Sequence, residues 1–290
     1  GVFQAFNMGR IRFENLVVTN GLATAPGGGG FNLNLCDTVI SNCTIIDNKL
    51  AADSVAGGGI YLFRGSLLLA DSWLQGNGQL NSKSSNIYGG GLAATKADVV
   101  VVDTIFHDNP LLVYATGKGG AIYLIGGSAT IRDCEFRTNR VHVAYGWSAN
   151  TVYGGALYAS AVDSLVVSNC LFIQHQLSVP SKLAYGSVLA IENKLAANRT
   201  LIEDCVLSNN VGKTIADDVH LACVGPVAIR HTRIGNGFSR GIYKSGAGSM
   251  ALTNCLVEAQ PSNGVEVAAG SVTVVNTTLA RNGGWGLTNT

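Results

Sequence analysis

The chain has 290 residues with a formal net charge of +1, and only 13% of its residues are charged. In soluble domains about one quarter of the residues are usually charged. The sequence contains no cluster of basic residues, which argues against nucleic acid as the main partner. A hydrophobic content of 47% excludes intrinsic disorder. No apolar run approaches the roughly 18 residues that a membrane-spanning helix needs.

A repeated unit runs along the whole chain. Each copy has alternating apolar residues, an Asn or Asp, a small residue, another apolar residue and then Asn, as in residues 39–48 and 130–139. Self-similarity of this kind is typical of solenoids. In chain order the Asn or Asp position of the ten copies falls at Asn15, Asn42, Asp71, Asp103, Asp133, Asn169, Asp204, His231, Asn254 and Asn276.

A second landmark alternates with the first and consists of paired glycines followed by an aliphatic, an outward and another aliphatic residue. Clear copies begin at Gly58, Gly90, Gly119 and Gly154. The alternation has a period of two, which predicts strands rather than helices. Towards the C-terminus the landmark aliphatics lie 22 or 23 residues apart, at Val219, Ile242, Val265 and Leu287. Earlier copies are longer, with the extra residues at 78–88, 140–153 and 176–185.

Together these patterns predict an all-β fold, a single right-handed parallel β-helix of about ten coils with three short strands per coil. Residues 1–290 form one solenoid, with corner insertions over 1–220 and minimal coils over 221–290. Leucine-rich repeats are excluded because no Leu-rich consensus is present. The chain begins and ends inside a coil. We therefore expect either a segment of a longer protein or open ends that stack on neighbouring copies.

Aligning the copies predicts interior columns of side chains. Phe106, Phe136 and Phe172 fall in one large apolar column and are expected to stack through three successive coils. A small column beside it holds Cys43, Cys134, Cys170, Cys205 and Cys255, five of the seven cysteines. Buried thiols are the favoured interpretation and disulfides the alternative, while Cys36 and Cys223 have no assignment. The Asn/Asp column is interpreted as a turn position whose side chains bond backbone groups.

Short motifs in the middle coils resemble a known family. Residues 119–122 read GGAI, and residues 106–109 and 136–139 read FxxN. These motifs resemble the GGAI and FxxN repeats of chlamydial polymorphic membrane proteins, and the chain is similar more broadly to autotransporter passenger domains. The resemblance implies a secreted or cell-surface location and a role in adhesion. Such motifs encode turns and core packing, so they indicate fold more than activity.

Two groups of outward residues are candidates for function. On the strand after the glycine pair, a possible glycan-stacking face holds Tyr61, Tyr123, Tyr158, His220 and Tyr243; the alternative is that these aromatic residues only stabilise the sheet. Asp217, Asp218 and His220 form the one local cluster with acid/base character, and Asp218 and His220 are expected to share the outer face. The favoured interpretation of the two aspartates is a turn.

Further surface features leave alternatives open. Outward Leu68, Val100 and Val102 need cover, either from inserted loops or from lateral association with another chain. Asn198 lies in a sequon within a loop and is the credible glycosylation site. A metal site is not expected, because CxxC and HxxxH spacings are missing. No cofactor is expected either.

The sequence therefore favours an extracellular or cell-surface structural or adhesive module. Its expected partners are other copies or flanking segments at the open ends, and a polysaccharide or glycan; nucleic acid and a membrane span are not expected. The alternative function is a polysaccharide-active enzyme, a glycoside hydrolase or lyase of the β-helix type.

Overall fold

A computed structural model describes residues 1–24, 27–51, 55–78, 86–143, 151–178, 183–213 and 216–290. The described chain is all-β and forms a parallel β-helix, which confirms the predicted architecture. Each strand pairs in parallel with the equivalent strand of the next coil, so equivalent residues stack in register along the rod. No described helix is long and apolar enough to cross a membrane.

Three sheets run the length of the rod, numbered here in the order in which a coil visits them. Sheet 1 follows the glycine pair, sheet 2 follows sheet 1, and sheet 3 lies between two sharp corners. The strands Phe31–Ser41 and Ile60–Ala70 run through sheets 1 and 2. The other strands of sheet 1 are Phe3–Phe6, Leu92–Thr95, Ile122–Ile125, Leu157–Ser160, Leu189–Glu192, Val219–Leu221, Ile242–Lys244, Val265–Val267 and Leu287–Asn289. Those of sheet 2 are Arg10–Glu14, Asp98–Val102, Ser128–Arg132, Ser164–Ser168, Arg199–Glu203, Val227–Arg230, Ser249–Thr253 and Ser271–Val275. Those of sheet 3 are Val17–Thr19, Thr44–Ile46, Trp73–Gln75, Ile105–His107, Glu135–Arg137, Leu171–Ile173, Val206–Ser208, Arg233–Gly235, Leu256–Glu258 and Thr278–Ala280.

Both corners that flank sheet 3 are made by residues with a left-handed backbone. The first corner is the Asn/Asp column of the sequence, and all ten of its residues have φ between 45° and 57°. Asn and Asp tolerate this conformation better than other non-glycine residues do. The predicted turn is therefore confirmed. Side chains of this column bond one another, as Asn42 Nδ2 does to Asn15 Oδ1 at 2.5 Å and Asn169 Nδ2 to Asp133 Oδ1 at 2.7 Å.

The second corner always lies five residues after the first, and its residue is also left-handed in every coil. Its members are Asn20, Asp47, Gly76, Asp108, Thr138, Gln174, Asn209, Asn236, Ala259 and Arg281.

The residue after the second corner points inward and forms a buried ladder. In four successive coils it is Asn48, Asn77, Asn109 and Asn139, all with 0% exposure. Each amide oxygen accepts the backbone N–H of the preceding coil, as Asn109 Oδ1 does from Asn77 N at 3.1 Å. The backbone groups that the bend leaves unpaired are thus satisfied here. The sequence predicts that the Asn/Asp column bonds these backbone groups. In the structure the buried ladder bonds them, and the Asn/Asp column lies on the exposed side of the other corner.

Short outer strands fill the corner insertions of the earlier coils. Sheet 4 holds Pro110–Val113, Arg140–Val143, Gln176–Ser178 and Val211–Lys213; sheet 5 holds Val55–Ala56, Asn86–Tyr88, Thr116–Lys118, Thr151–Tyr153 and Leu183–Tyr185; sheet 6 holds Leu22–Ala23 and Lys49–Leu50. Sheets 4 and 5 enclose a second apolar core that includes Val113, Val141 and Val152. Three strands per coil therefore describe the C-terminal coils, and the inserted coils add one or two more. Residues 79–85, 144–150 and 179–182 of the three insertions lie outside the described part.

The interior columns of the main core agree with the sequence. The rings of Phe106, Phe136 and Phe172 stack with centroids 5.0 and 4.6 Å apart and planes within 8° of parallel, a geometry that adds to area burial. All seven cysteines are buried and free, so the favoured prediction of buried thiols is confirmed. Cys36 and Cys223 are interior residues too, and Cys223 Sγ lies 3.5 Å from the carbonyl oxygen of Ile191.

Candidate functional site

The acid/base candidates lie where the glycine-pair stack ends. Asp217 continues the position of Gly155 and Ser187, and Asp218 continues the interior position of Ala156 and Val188, as the pairing of Leu189 with Val219 shows. Glycine is required at position 155, because a Cβ there would lie 2.1 Å from the carbonyl oxygen of Ser187. The two aspartate side chains point in different directions, since Asp218 contacts Ser187 and Asp217 contacts Arg240.

Asp218 is a carboxyl group inside the solenoid. Its side chain has 0% exposure and accepts hydrogen bonds from Ser187 Oγ at 2.8 Å and Gln260 Nε2 at 3.1 Å. Gly237 makes room for this contact, since a Cβ there would lie 2.2 Å from Asp218 Oδ2. Burial raises the pKa of Asp218 to about 7, although the two hydrogen bonds oppose the shift. Gln260 Oε1 has no hydrogen-bond partner among the described groups.

Asp217 faces outward, pairs with Arg240 and contacts the ring of His220. Its Oδ2 lies 3.2 Å from His220 Nδ1, and its Oδ1 accepts Arg240 Nε at 2.5 Å. Arg240 also reaches Glu266 Oε1 at 2.8 Å and lies over the ring of Tyr243. The predicted pairing of Asp218 with His220 on one outer face is wrong, because the residue that shares the outer face with His220 is Asp217.

This cluster is closed to a substrate. Asp217 and Asp218 have 0% exposure and His220 has 5%. The ring of Tyr185 lies 4.7 Å from that of His220, and the ring of Tyr243 lies 5.3 Å from it on the next coil. A general acid or base must come within hydrogen-bond reach of the reacting group. Both carboxyl groups here face protein partners, so the arrangement stabilises a corner of the rod.

The tyrosine column is covered, which corrects the prediction of a solvent-facing platform. Tyr123 and Tyr158 have 8% and 1% exposure, because sheet 5 packs over the outer face of sheet 1. The ring of Tyr88 from sheet 5 stacks on Tyr123 at 4.7 Å. Burial raises the pKa of both Tyr123 and Tyr158. Tyr61 and Tyr243 at the two ends of the column remain only partly exposed.

A half-buried lysine and a half-buried glutamate contact these rings. Lys118 Nζ donates to Tyr158 Oη at 2.8 Å, and Tyr158 Oη donates to Glu192 Oε2 at 2.5 Å. Burial lowers the pKa of Lys118, and the nearby charge of Glu192 opposes that shift. The chain of contacts satisfies the phenol and anchors the outer strands to the rod.

Two other surface predictions are also corrected. Asn198 has 2% exposure, and its Oδ1 accepts the backbone N–H of Leu195 at 3.0 Å, so its amide is not presented for glycosylation. Leu68 and Val100 on the outer face of sheet 2 are each 38% exposed. Loop cover of these two residues is therefore wrong, and their neighbour Val102 is the buried one.

Metal-ligating atom types meet at one place in the described residues. Side-chain ligand atoms of Glu203, Asp204 and His231 lie within 4.8 Å of one another at the surface. Asp204 and His231 belong to the Asn/Asp column of the first corner and contact other members of it. His231 Nδ1 lies 3.6 Å from Asp204 Oδ1, and its Nε2 lies 3.0 Å from Asn254 Nδ2.

The sequence reasoning missed a polar groove beside the second corner. It has a volume of about 680 Å³ and lies between the corner residues and the first outward residues of sheet 4. Its polar lining comes from four successive coils and consists of His107, Asp108, Thr138, Arg140, Gln174, Gln176 and Asn209. The signal that would have located it is the second left-handed position, always five residues after the Asn/Asp position.

The fold and these sites define the chain as a parallel β-helix protein. No family model, no curated protein and no solved structure matches it.

Proposed function

We propose that the chain is a structural and adhesive β-helix module that is secreted or displayed at the cell surface. The observation that carries this proposal is the closed acid/base cluster, in which Asp217 and Asp218 have 0% exposure. The carboxylate oxygens of both residues contact protein groups, namely Ser187, His220, Arg240 and Gln260. The low charge content and the GGAI and FxxN motifs support a surface location.

The outer faces of the rod support a role in contact with other molecules. Sheet 2 leaves Leu68 and Val100 exposed along its middle, which suits lateral association. The first coil exposes Phe6 and Met8, and the last coil exposes Trp285. Flanking segments or further copies of this chain are the proposed partners at these end coils.

A polysaccharide-active enzyme is the second candidate. A pKa of about 7 for Asp218 favours it, because a carboxyl that stays protonated near neutral pH has the acidity a general acid needs. The burial of the same group argues against it.

The experiment incubates the protein with soluble polysaccharides and measures both retention in affinity gels and release of new reducing ends. We expect retention without cleavage, and the same result for Asp218→Asn. Reducing ends that appear with the unmodified protein and disappear with Asp218→Asn, at unchanged circular dichroism, would establish the enzyme instead. Sedimentation of the same samples measures whether copies of the chain associate with one another.

A further inference from the structure

We propose that the polar groove beside the second corner binds a short, uncharged oligosaccharide. This inference rests on the adhesive function proposed above and names the ligand class and the site. The groove takes the place of the tyrosine column as the proposed glycan site, because the outer strands cover those tyrosines.

The dimensions of the groove suit a chain molecule that lies along the rod. Its corner residues Asp108, Thr138, Gln174 and Asn209 belong to four successive coils. Stacked strands are about 4.8 Å apart, so the four residues span about 14 Å. A volume of about 680 Å³ is within the range of ordinary ligand sites.

The chemistry of the lining fits hydroxyl groups. Gln174, Gln176 and Asn209 are exposed, and each amide offers both a donor and an acceptor. Vicinal hydroxyls of a sugar also donate and accept, so planar amides are well matched to them. The charged pair of the groove is balanced, because Arg140 Nη2 lies 3.2 Å from Asp108 Oδ1. A neutral ligand therefore fits this groove better than an acidic one.

Two polar atoms of the lining lack protein partners. His107 Nδ1 and Thr138 Oγ1 make no hydrogen bond within the described structure, although both are shielded from solvent. A buried polar atom without a hydrogen-bond partner destabilises the free protein. Rotation of each side chain towards the groove would let a ligand hydroxyl satisfy it, which gives the bound state an advantage over the free one.

An aromatic surface lies next to His107 of the groove. Trp73 is 38% exposed, and its ring lies 5.9 Å from the ring of His107, nearly perpendicular to it. Trp73 Nε1 donates to Gln75 Oε1 at 2.9 Å, which fixes the indole on sheet 3. A sugar ring presents an apolar face of C–H groups, and an exposed indole provides the matching surface.

The test is calorimetric titration with neutral hexasaccharides of glucose, mannose and xylose, with heparin hexasaccharide as the charged comparison. Gln176→Ala and Trp73→Ala remove one groove amide and the aromatic surface. Gln4→Ala is the matched control for Gln176→Ala, because it removes the same side chain from an exposed position elsewhere. We expect at least one neutral probe to bind, and each groove variant to bind it about tenfold more weakly at unchanged melting temperature.

Three results would overturn the site. They are no binding of any neutral probe with a dissociation constant below about 1 mM, binding of heparin alone, and equal losses in groove and control variants. Cleavage of a bound probe would overturn the proposed structural and adhesive function but leave the site in place, so the two failures are distinguishable.

Discussion

The buried Asn ladder gives the sharpest test of how this rod is held together, and Asn109 lies in its middle with a ladder partner on each side. Its Oδ1 accepts from the backbone N–H of Asn77 at 3.1 Å and from Asn77 Nδ2 at 3.2 Å. Its Nδ2 donates to the carbonyl of Leu74 at 3.0 Å and to Asn139 Oδ1 at 2.8 Å. The side chain thus makes four hydrogen bonds at 0% exposure.

Asn109→Ala removes all four bonds. The backbone N–H of Asn77 loses its partner inside the protein, at a cost of about 1–3 kcal/mol. The other three hydrogen bonds contribute about 1 kcal/mol each. Part of this loss is compensated, because Asn77 Nδ2 still donates to the carbonyl oxygen of Ile45. We expect the free energy of unfolding to fall by about 4 kcal/mol.

Asn42→Ala is the matched control at the first corner. Asn42 is exposed, and its side chain makes one hydrogen bond, to Asn15. Its left-handed backbone, with φ of 49°, adds a conformational penalty of about 1–2 kcal/mol for alanine that Asn109 does not carry. The control therefore biases the comparison against our expectation. Guanidinium unfolding followed by circular dichroism measures both variants, and losses within 1 kcal/mol of each other would refute the ladder argument.

The remaining predictions concern two buried titratable groups. Asp218 has a pKa raised to about 7 by burial, so its protonated form is favoured in the fold, and stability should fall as pH rises from about 4 to about 7 and then level off. Asp218→Asn should abolish this part of the pH dependence, because its amide can accept from Ser187 and donate to Gln260 Oε1; an unchanged slope in pH-dependent unfolding would contradict the assignment. His175 has a pKa lowered to about 4 by burial, so its neutral form is favoured and stability should be lost as pH falls from about 6.5 to 4. His175→Asn restores the residue type of the ladder and removes the unpartnered Nε2; we expect a gain of about 1 kcal/mol at pH 5, and a loss there would show that the imidazole is required.

The repeat let the sequence alone determine most of the fold. Side chains that recur at Asn42, Asp71 and Asp103 mark a turn because few other residue types tolerate a left-handed backbone. The stacking of Phe106, Phe136 and Phe172 follows directly, because in-register parallel coils bring equivalent positions together. Local backbone preference and the spacing of the repeat can both be read directly from the amino-acid sequence.

The candidate sites depended on contacts between coils and insertions, which no local pattern encodes. Tyr123 is buried because Tyr88, from an inserted strand in the preceding coil, lies on its ring. Asp218 turns inward because Gly237 and Gln260, in later coils, leave space and supply a donor. The sequence thus determined which residues stack, through periodicity and backbone preference. The tertiary structure decided which faces are exposed, because exposure depends on what distant segments cover.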